Sequence, residues 1–505
     1  MRAMLLRLIP VVILSLAATA VGQDFNLYGF STVDYSFPGS GARALGMGGA
    51  FTGVADDASA LTWNPAGLVQ VDRTQATVAG TYRLPEQKTT ITYRAGSAPD
   101  FSAKKDQNKL KLNYAAFVAP LRIKGHPFMT SASYRAPEDR LEDWYSWSSV
   151  DQTYVTAASD TVDFTALRSS HTSITGGLDI FSFGFGTGLY GDLSIGGAIN
   201  IYSGSGEALF RNQYIDTATS SIAGIADTIE LIRTQSVDDE LSTKGFNFVG
   251  SMFYRKGIFR AGVTVETPFD LITDHDVARR DTLYENGLPT FPIGSRAWLY
   301  RGKTKIHMPV VVSGGISVTP KPDLTIAGDF QVWRFSEAKY LIERDTLFTQ
   351  RGSIYFPYHC IDEDTCAFSH FTSSGTREEV YDEFDIGMRN SVAFRVGAEY
   401  LLHTNLGIIP LRAGGSLTKM QYSDVTGVTR DALDQVQAGF DLGDRVTRTS
   451  FSFGTGIHWR QIWFDVAFSY STQEQKESGV NTLGSYETTR KINRPSGMLN
   501  FTGFF

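Results

Sequence analysis

Residues that could carry out covalent chemistry are few in this chain and poorly arranged for it. Neither G-x-S-x-G nor H-E-x-x-H occurs. The eight histidines are scattered, and His126, His307, His403 and His458 suit interface or interior positions better than the role of a positioned base. The run GTGLYG, Gly186–Gly191, matches the dinucleotide pattern G-x-G-x-x-G. It falls at a strand–turn–strand corner, where no helix follows to hold a phosphate. Cys360 and Cys366 stand close together in HCIDEDTC. In an exported protein such a pair could close a local loop that adds little to global stability. A metal would need His359, Asp362, Glu363, Asp364 and His370, and that spacing matches no standard zinc or calcium pattern. The expectation is a protein with no cofactor, no metal and no catalytic activity.

The more informative charged residues are those embedded in apolar alternation. In DLTIAGDFQVW, Leu324, Ile326, Gly328, Phe330 and Val332 share one face, and Thr325, Ala327, Asp329, Gln331 and Trp333 share the other. In QIWFDVAFSYS, Asp465 lies opposite Ile462, Phe464, Val466, Phe468 and Tyr470; in VTRTSFSFGTGIHW, His458 lies opposite Phe451, Phe453, Ile457 and Trp459. Period two with one greasy face is a strand between two different environments. If the greasy faces meet lipid, then Arg260, Glu266, Asp329, Arg395, Glu399, Arg412, Asp465 and His458 point inward, because a charge at the lipid midplane costs about 2–4 kcal/mol. Such charges either pair with one another and with an internal plug or line a path for solute.

About fourteen segments show this alternation, each near the roughly ten residues that a tilted strand needs to cross a bilayer. They cover 74–84, 110–120, 126–135, 173–188, 192–203, 244–255, 257–267, 305–318, 322–333, 388–402, 408–419, 447–459, 461–471 and 495–505. The connections alternate between short turns (RIKG, LYGD, RKG, TPKPD, HTNLG, RQ) and long polar, acidic loops at 136–172, 204–243, 268–304, 334–387, 420–446 and 472–494. This is the plan of an all-β transmembrane antiparallel barrel, with its long loops facing outside toward lipopolysaccharide. The closing PSGMLNFTGFF puts Leu499, Phe501, Gly503 and Phe505 on one face with an aromatic residue last, as in the C-terminal assembly signal of bacterial outer-membrane barrels. A soluble propeller would show a blade repeat of 40 to 50 residues, and none is visible.

Bulk properties agree. The 505 residues are 42% apolar and 12% aromatic with 49 glycines, and the net charge of −7 argues against a nucleic-acid partner. Arg2 and Arg7 precede or enter an apolar run from Leu8 to Ala17, and Ala20 and Gly22 occupy the small positions of a cleavage site. Residues 1–22 therefore read as a secretory signal peptide. No later run of 18 or more apolar residues appears, so crossing by a helix is not expected.

Fourteen strands enclose a lumen too wide for side chains alone to fill. The segment 23–73 has the character of a plug, or hatch, leaving 74–505 for the barrel. Gly46, Gly48, Gly49, Ala50 and Gly53 allow close backbone packing. Asp56 or Asp57 is placed to cap a short helix over DASALTW. Asn64 can satisfy local backbone groups, and Pro65 stops the helix ahead of Ala66 and Gly67. In the loops, SIAGIADTIELI sets Ile222, Ile225, Ile229 and Ile232 on one helical stripe. It suits either a greasy lid over the barrel mouth or a helix packed on neighbouring loops.

SGARALGMGGAFTGVADDASALTWNPAGL resembles the N-terminal region of the FadL/TodX family of outer-membrane transporters for long-chain fatty acids and hydrocarbons. The sharp resemblance covers Gly39 to Leu68, with Asn64-Pro65-Ala66 standing at the family's hatch motif. It implies a monomeric fourteen-stranded barrel in the bacterial outer membrane. It also implies passive uptake of a hydrophobic small molecule, with sideways exit through a wall gap beside a kinked third strand. The same stretch is similar to PorV-like barrels of type IX secretion, which would make proteins of a secretion system the partners instead.

Overall fold

Alternation at period two builds a wall of fourteen antiparallel strands. The computed structural model describes residues 39–93, 101–106, 109–123, 126–139, 142–155, 161–222, 225–286, 288–289, 295–346, 349–360, 366–374, 378–385, 388–430, 436–437, 441–481 and 484–505. The expected signal peptide, 1–22, and the start of the N-terminal segment, up to residue 38, lie outside them.

The wall strands are β1 (Gln75–Arg83), β2 (Lys109–Ile123), β3 (His126–Asp139), β4 (Thr161–Tyr190), β5 (Leu193–Ile222), β6 (Ile225–Lys256) and β7 (Phe259–Glu266). They continue as β8 (Val311–Lys321), β9 (Leu324–Trp333), β10 (Ser391–Thr404), β11 (Gly407–Arg430), β12 (Asp441–Trp459), β13 (Ile462–Asn481) and β14 (Gly484–Phe504). Each pairs with the next, and β14 returns to β1, with Gln75 opposite Phe504 and Arg83 opposite Ser496. Closure leaves no free edge strand, and ladder pairing satisfies the backbone groups of the wall except where two strands part, described below. Outward positions carry large exposed apolar side chains, among them Phe183, Phe248, Val396, Phe453 and Phe501. The residues between them, such as Ser182, Asn247, Arg395, Ser452 and Asn500, are buried. Exposed apolar side chains spread over the outside with polar ones buried inside are the arrangement of a membrane barrel.

Short turns join the strands at one end. At the other end the expected long loops are largely ladder. β4, β5 and β6 run for 30, 30 and 32 residues, whereas about ten suffice to cross a bilayer. The excess forms ribbons beyond the membrane, joined by further strands such as Glu142–Val155, Phe269–Glu285 and Ser295–Met308. Polar composition had suggested open loops, but Thr, Ser, Tyr and Val favour extended backbone, and ladder bonds satisfy the N–H and C=O groups. Two related expectations change. The span 305–318 divides at Pro309, which has no N–H to donate, so its first residues belong to a ribbon and its last to β8. The proposed helix over Ser221–Ile232 is instead a hairpin in which Ile222 faces Ile225, Ile229 faces Ala218 and Ile232 faces Ile215. Alternation along the strand puts Ile232 on the opposite face from Ile229, so the helical stripe does not form. β-branched isoleucines favour that outcome.

Residues 39–73 lie within the barrel and touch wall strands on all sides. They form α1 (Ala42–Gly46), α2 (Ala60–Trp63) and a 3-10 turn at Pro65–Gln70. The helix is shorter than DASALTW. Its N-cap is Ser59, not Asp56 or Asp57. Asp57 acts one step earlier, accepting from the Ser59 N–H at 2.8 Å and the Ser59 hydroxyl at 2.6 Å.

Candidate functional site

The N-terminal segment is seated on the wall by backbone contact. Gly48 and Gly49 take positive φ of 67° and 78°, a region glycine enters without steric cost. Facing them and their neighbours are inward glycines of the wall. A Cβ at Gly196 on β5 would stand 2.3 Å from the Ala66 nitrogen, and one at Gly414 on β11 would stand 2.2 Å from the Met47 carbonyl carbon. Counted from the short turns, Gly196 is the fourth residue of β5 and Gly414 the eighth of β11.

Hydrogen bonds set its register. Fully buried Asn64 accepts from the Ala66 N–H at 3.1 Å and donates from Nδ2 to the Met252 carbonyl of β6 at 3.1 Å. Its own carbonyl accepts from the Gly67 N–H at 2.9 Å. Pro65 begins the following 3-10 turn, where its missing N–H costs nothing. Ser251 Oγ accepts from the Ala66 N–H at 2.9 Å, and Ser452 Oγ donates to the Gly46 carbonyl at 3.3 Å. Asp329 Oδ2 on β9 accepts from both the Phe51 and Thr52 N–H groups, at 2.7 and 2.6 Å.

The inward charges of the sequence meet here. Arg260 Nη1 is 3.0 Å from Asp56, and Arg43 Nη1 is 2.5 Å from the other oxygen of Asp56. Arg43 also pairs with Glu399, Glu399 with Arg412 at 2.6 Å, Arg412 with Asp465 at 2.6 Å, and Asp465 with His458 Nε2 at 3.0 Å. The chain of contacts runs from β7 through the N-terminal segment to β10, β11, β13 and β12. Arg395 stands opposite Asp329 in register, donates to Gln331 Oε1 at 2.7 Å and lies 5.9 Å from the Trp333 ring. Glu266 joins a separate polar row: Ser182 donates to Asn200, Asn200 to Asn247, and Asn247 Nδ2 to Glu266 at 3.3 Å. Of the eight residues expected inside, Arg260, Asp329, Arg395, Glu399, Arg412 and Asp465 adjoin the N-terminal segment or a residue that contacts it, His458 joins them through Asp465, and Glu266 belongs to the separate row.

The apolar residues of the interior come from distant stretches of the chain and leave no local pattern. Leu178 and Ile180 of β4, Tyr202 of β5, Leu271, Ile306, Met308, Val311, Trp333, Phe335, Met388 and Ala393 form one buried cluster. Phe269 packs on it, with its ring stacked 4.5 Å from Tyr202. Leu178 and Ile180 share the inward face with buried Ser182. Several of the others break the wall alternation: the Phe335 turn and the start of the Phe269 strand fold inward from the ribbons.

The wall itself changes between β2 and β3. Their register runs from Ile123 opposite His126 to Tyr114 opposite Arg135 and ends there. Both strands continue. β2 residues Lys109–Leu112 pair away, onto Gly80–Arg83 of β1, across an irregularity at Asn113. β3 residues Glu138 and Asp139 pair away, onto Leu178 and Gly177 of β4, across a bulge after Arg135. Pro137 sits in that bulge and lacks the N–H a ladder would use. The two strands thus part at a seam, with Ile180 and Leu178 of the apolar cluster in register beside it. On the outside at this level, Tyr82 and Leu112 are exposed.

Cys360 and Cys366 are register partners in a ribbon hairpin; their side chains lie outside the described residues, as do those of Ile222 and Ile225. Among the described residues, no group of three or more His, Cys, Asp or Glu is placed to hold a metal ion.

No family model and no curated protein sequence matches the chain. Solved structures do. A FadL homologue of Pseudomonas aeruginosa matches over 92% of this chain and 98% of its own, at 12% identity and a TM-score of 0.52. The toluene transporter TodX of P. putida matches over 93% of this chain and 99% of its own, at 12% identity and a TM-score of 0.50. The chain therefore has the fold of the FadL-like barrels, a closed fourteen-stranded antiparallel barrel of the bacterial outer membrane.

Proposed function

We propose that the protein is a passive outer-membrane channel for hydrophobic molecules. They enter from the ribbon side, rest against the apolar cluster inside the lumen, and leave sideways into the bilayer between β2 and β3. The N-terminal segment acts as the plug that bars the direct route to the periplasm. The observation that carries this reading is the meeting of the apolar cluster with the seam at Ile180 and Leu178. An apolar solute leaving an apolar surface for hydrocarbon sheds no hydration on the way, so the step needs no energy source. Binding of this kind needs concave apolar surface rather than catalytic groups. The full-length FadL-like fold of the P. aeruginosa homologue and TodX supports the assignment.

The test is uptake of a fluorescent twelve-carbon fatty acid and of toluene by cells that carry this chain as their channel for such compounds. Faster uptake than in empty-vector cells, with slower uptake after Ile180→Asp, is the expected result. Equal rates with and without the protein for both probes overturn the reading.

A further inference from the structure

The seam is closed by two side chains. Asn113 Nδ2 on β2 donates to the Ala136 carbonyl of β3 at 3.2 Å. Arg83 Nη2 on β1 donates to the Pro137 carbonyl at 2.9 Å, reaching past β2 to the strand beyond it. Both carbonyls lie where the β2–β3 ladder has ended. An unpaired carbonyl in a lipid-facing wall costs several kcal/mol, so these bonds replace the missing ladder while the wall is shut. They also differ from ladder in how they open. A ladder bond breaks only when the backbone moves, whereas a side chain swings by a rotamer change in nanoseconds or less when it is free to move.

We propose that Arg83 and Asn113 are the latch of the lateral passage: positioning residues that hold the seam closed and release it by side-chain rotation, leaving every ladder pair of β1, β2 and β3 in place. Tyr114 and Arg135, the last register pair, form the fixed lower corner of the opening. The hydroxyl of Tyr114 donates to the Ala58 carbonyl at 2.9 Å, which anchors that corner to the N-terminal segment. The opening therefore lies above an anchored corner, and the N-terminal segment can stay seated while solute passes. Arg83 and Asn113 act on different carbonyls from different strands, so either alone retains part of the closure.

The proposal rests on lateral exit, and the experiment separates the two. The full-length chain is expressed in a Cys360→Ser, Cys366→Ser background, and uptake of the fluorescent twelve-carbon fatty acid is measured. In the first arm, Asn113→Ala and Arg83→Gln are made singly and together, with heat-modifiable gel migration confirming the folded barrel. The net strength of one neutral hydrogen bond corresponds to about a fivefold change in a population, and that of one from a charged donor to about tenfold or more. Asn113→Ala should raise the initial rate by up to about fivefold, Arg83→Gln by up to about tenfold, and the double variant should exceed both. In the second arm, Asn113→Cys and Ala136→Cys are combined and oxidised, with loss of free thiols confirming the cross-link. Uptake should stop, return on reduction, and leave retention of the fatty acid by the detergent-purified protein unchanged. If the cross-link blocks uptake but the first-arm variants keep the parental rate, the passage stands and the latch is overturned. If the cross-linked protein transports at the parental rate, lateral exit at this seam is overturned, and the latch with it.

Discussion

Arg43 of the N-terminal segment and Glu399 of β10 form a two-point ion pair, with Nη2 2.7 Å from Oε1 and Nε 2.9 Å from Oε2. The pair links the segment to the wall, and each partner has a second commitment, Arg43 to Asp56 and Glu399 to Arg412. Removing one partner of a buried pair typically costs about 3–5 kcal/mol when no other partner remains, and less when one does. Glu399→Gln should therefore lower the unfolding midpoint in detergent by more than Arg43→Ala, because it takes an anionic partner from both Arg43 and Arg412, whereas Arg43→Ala leaves Glu399 with Arg412 and Asp56 with Arg260. The combined variant should be less destabilised than the sum of the singles. Unfolding midpoints from heat-modifiable gel migration check this, and strict additivity would show that the contact does not couple the segment to the wall.

Close backbone approach makes a second, sharper prediction. Gly196 meets the Ala66 nitrogen, whereas at Gly188, near the turn of the adjoining strand, a Cβ would find nothing within 4 Å. Overpacking costs about 1–3 kcal/mol. Gly196→Ala should lose roughly that much stability and admit ions in planar-bilayer recordings, while Gly188→Ala should match the parent in both. Equal behaviour of the two variants would place the N-terminal segment away from the wall at β5.

The membrane-facing belt is tested at Phe453, which is 61% exposed on β12 and points away from buried Ser452. Arginine near the midplane of a barrel's lipid face costs about 2–4 kcal/mol. Phe453→Arg should reduce folding into lipid vesicles by that amount in a urea titration. The same charge at Tyr190, the last residue of β4 beside the short turn and 87% exposed, should cost far less, about 0–1 kcal/mol. Similar costs at the two sites would contradict the assigned belt.

Ligand retention should follow the apolar cluster rather than the charges. Trp333→Ala deletes a large buried ring beside Phe335 and Ala338, and Ile180→Asp puts a charge where apolar solute would rest. Both should weaken retention of the twelve-carbon fatty acid by detergent-purified protein by about tenfold or more, using roughly 25 cal/mol per Å² of lost apolar contact. Asp465→Asn, in the ion chain, should leave retention within about twofold, since it touches no part of the cluster. Fluorescence displacement titration distinguishes the two patterns.

The fourteen wall strands were readable from alternation because each greasy face answers to lipid alone, a uniform environment that imposes one rule on every strand. The interior charges were readable for the same reason. Arg260, Glu266, Asp329, Arg395, Glu399, Arg412 and Asp465 can face only inward once their neighbours face lipid. The ribbons were less legible. Away from lipid, polar residues such as those of Ser203–Ser221 suit strand and loop alike, and only pairing with β4 and β6 decides between them. The isoleucines of Ser221–Ile232 fit a helical stripe by spacing, but a neighbouring strand offered a ladder and the spacing lost its meaning.

The order of residues alone thus determined an all-β, membrane-type chain with a small-residue segment ahead of its first strand. Tertiary structure decided what that segment touches, which charges meet, and where the wall parts. The Arg43–Glu399 contact spans 356 positions, and the apolar cluster gathers residues from Leu178 to Ala393. Neither leaves a local pattern in the sequence. The seam did leave a trace in Pro137, a residue without an N–H in a strand. Its consequence depends on Asn113 and Arg83 lying beside it, a proximity created only when the barrel closes.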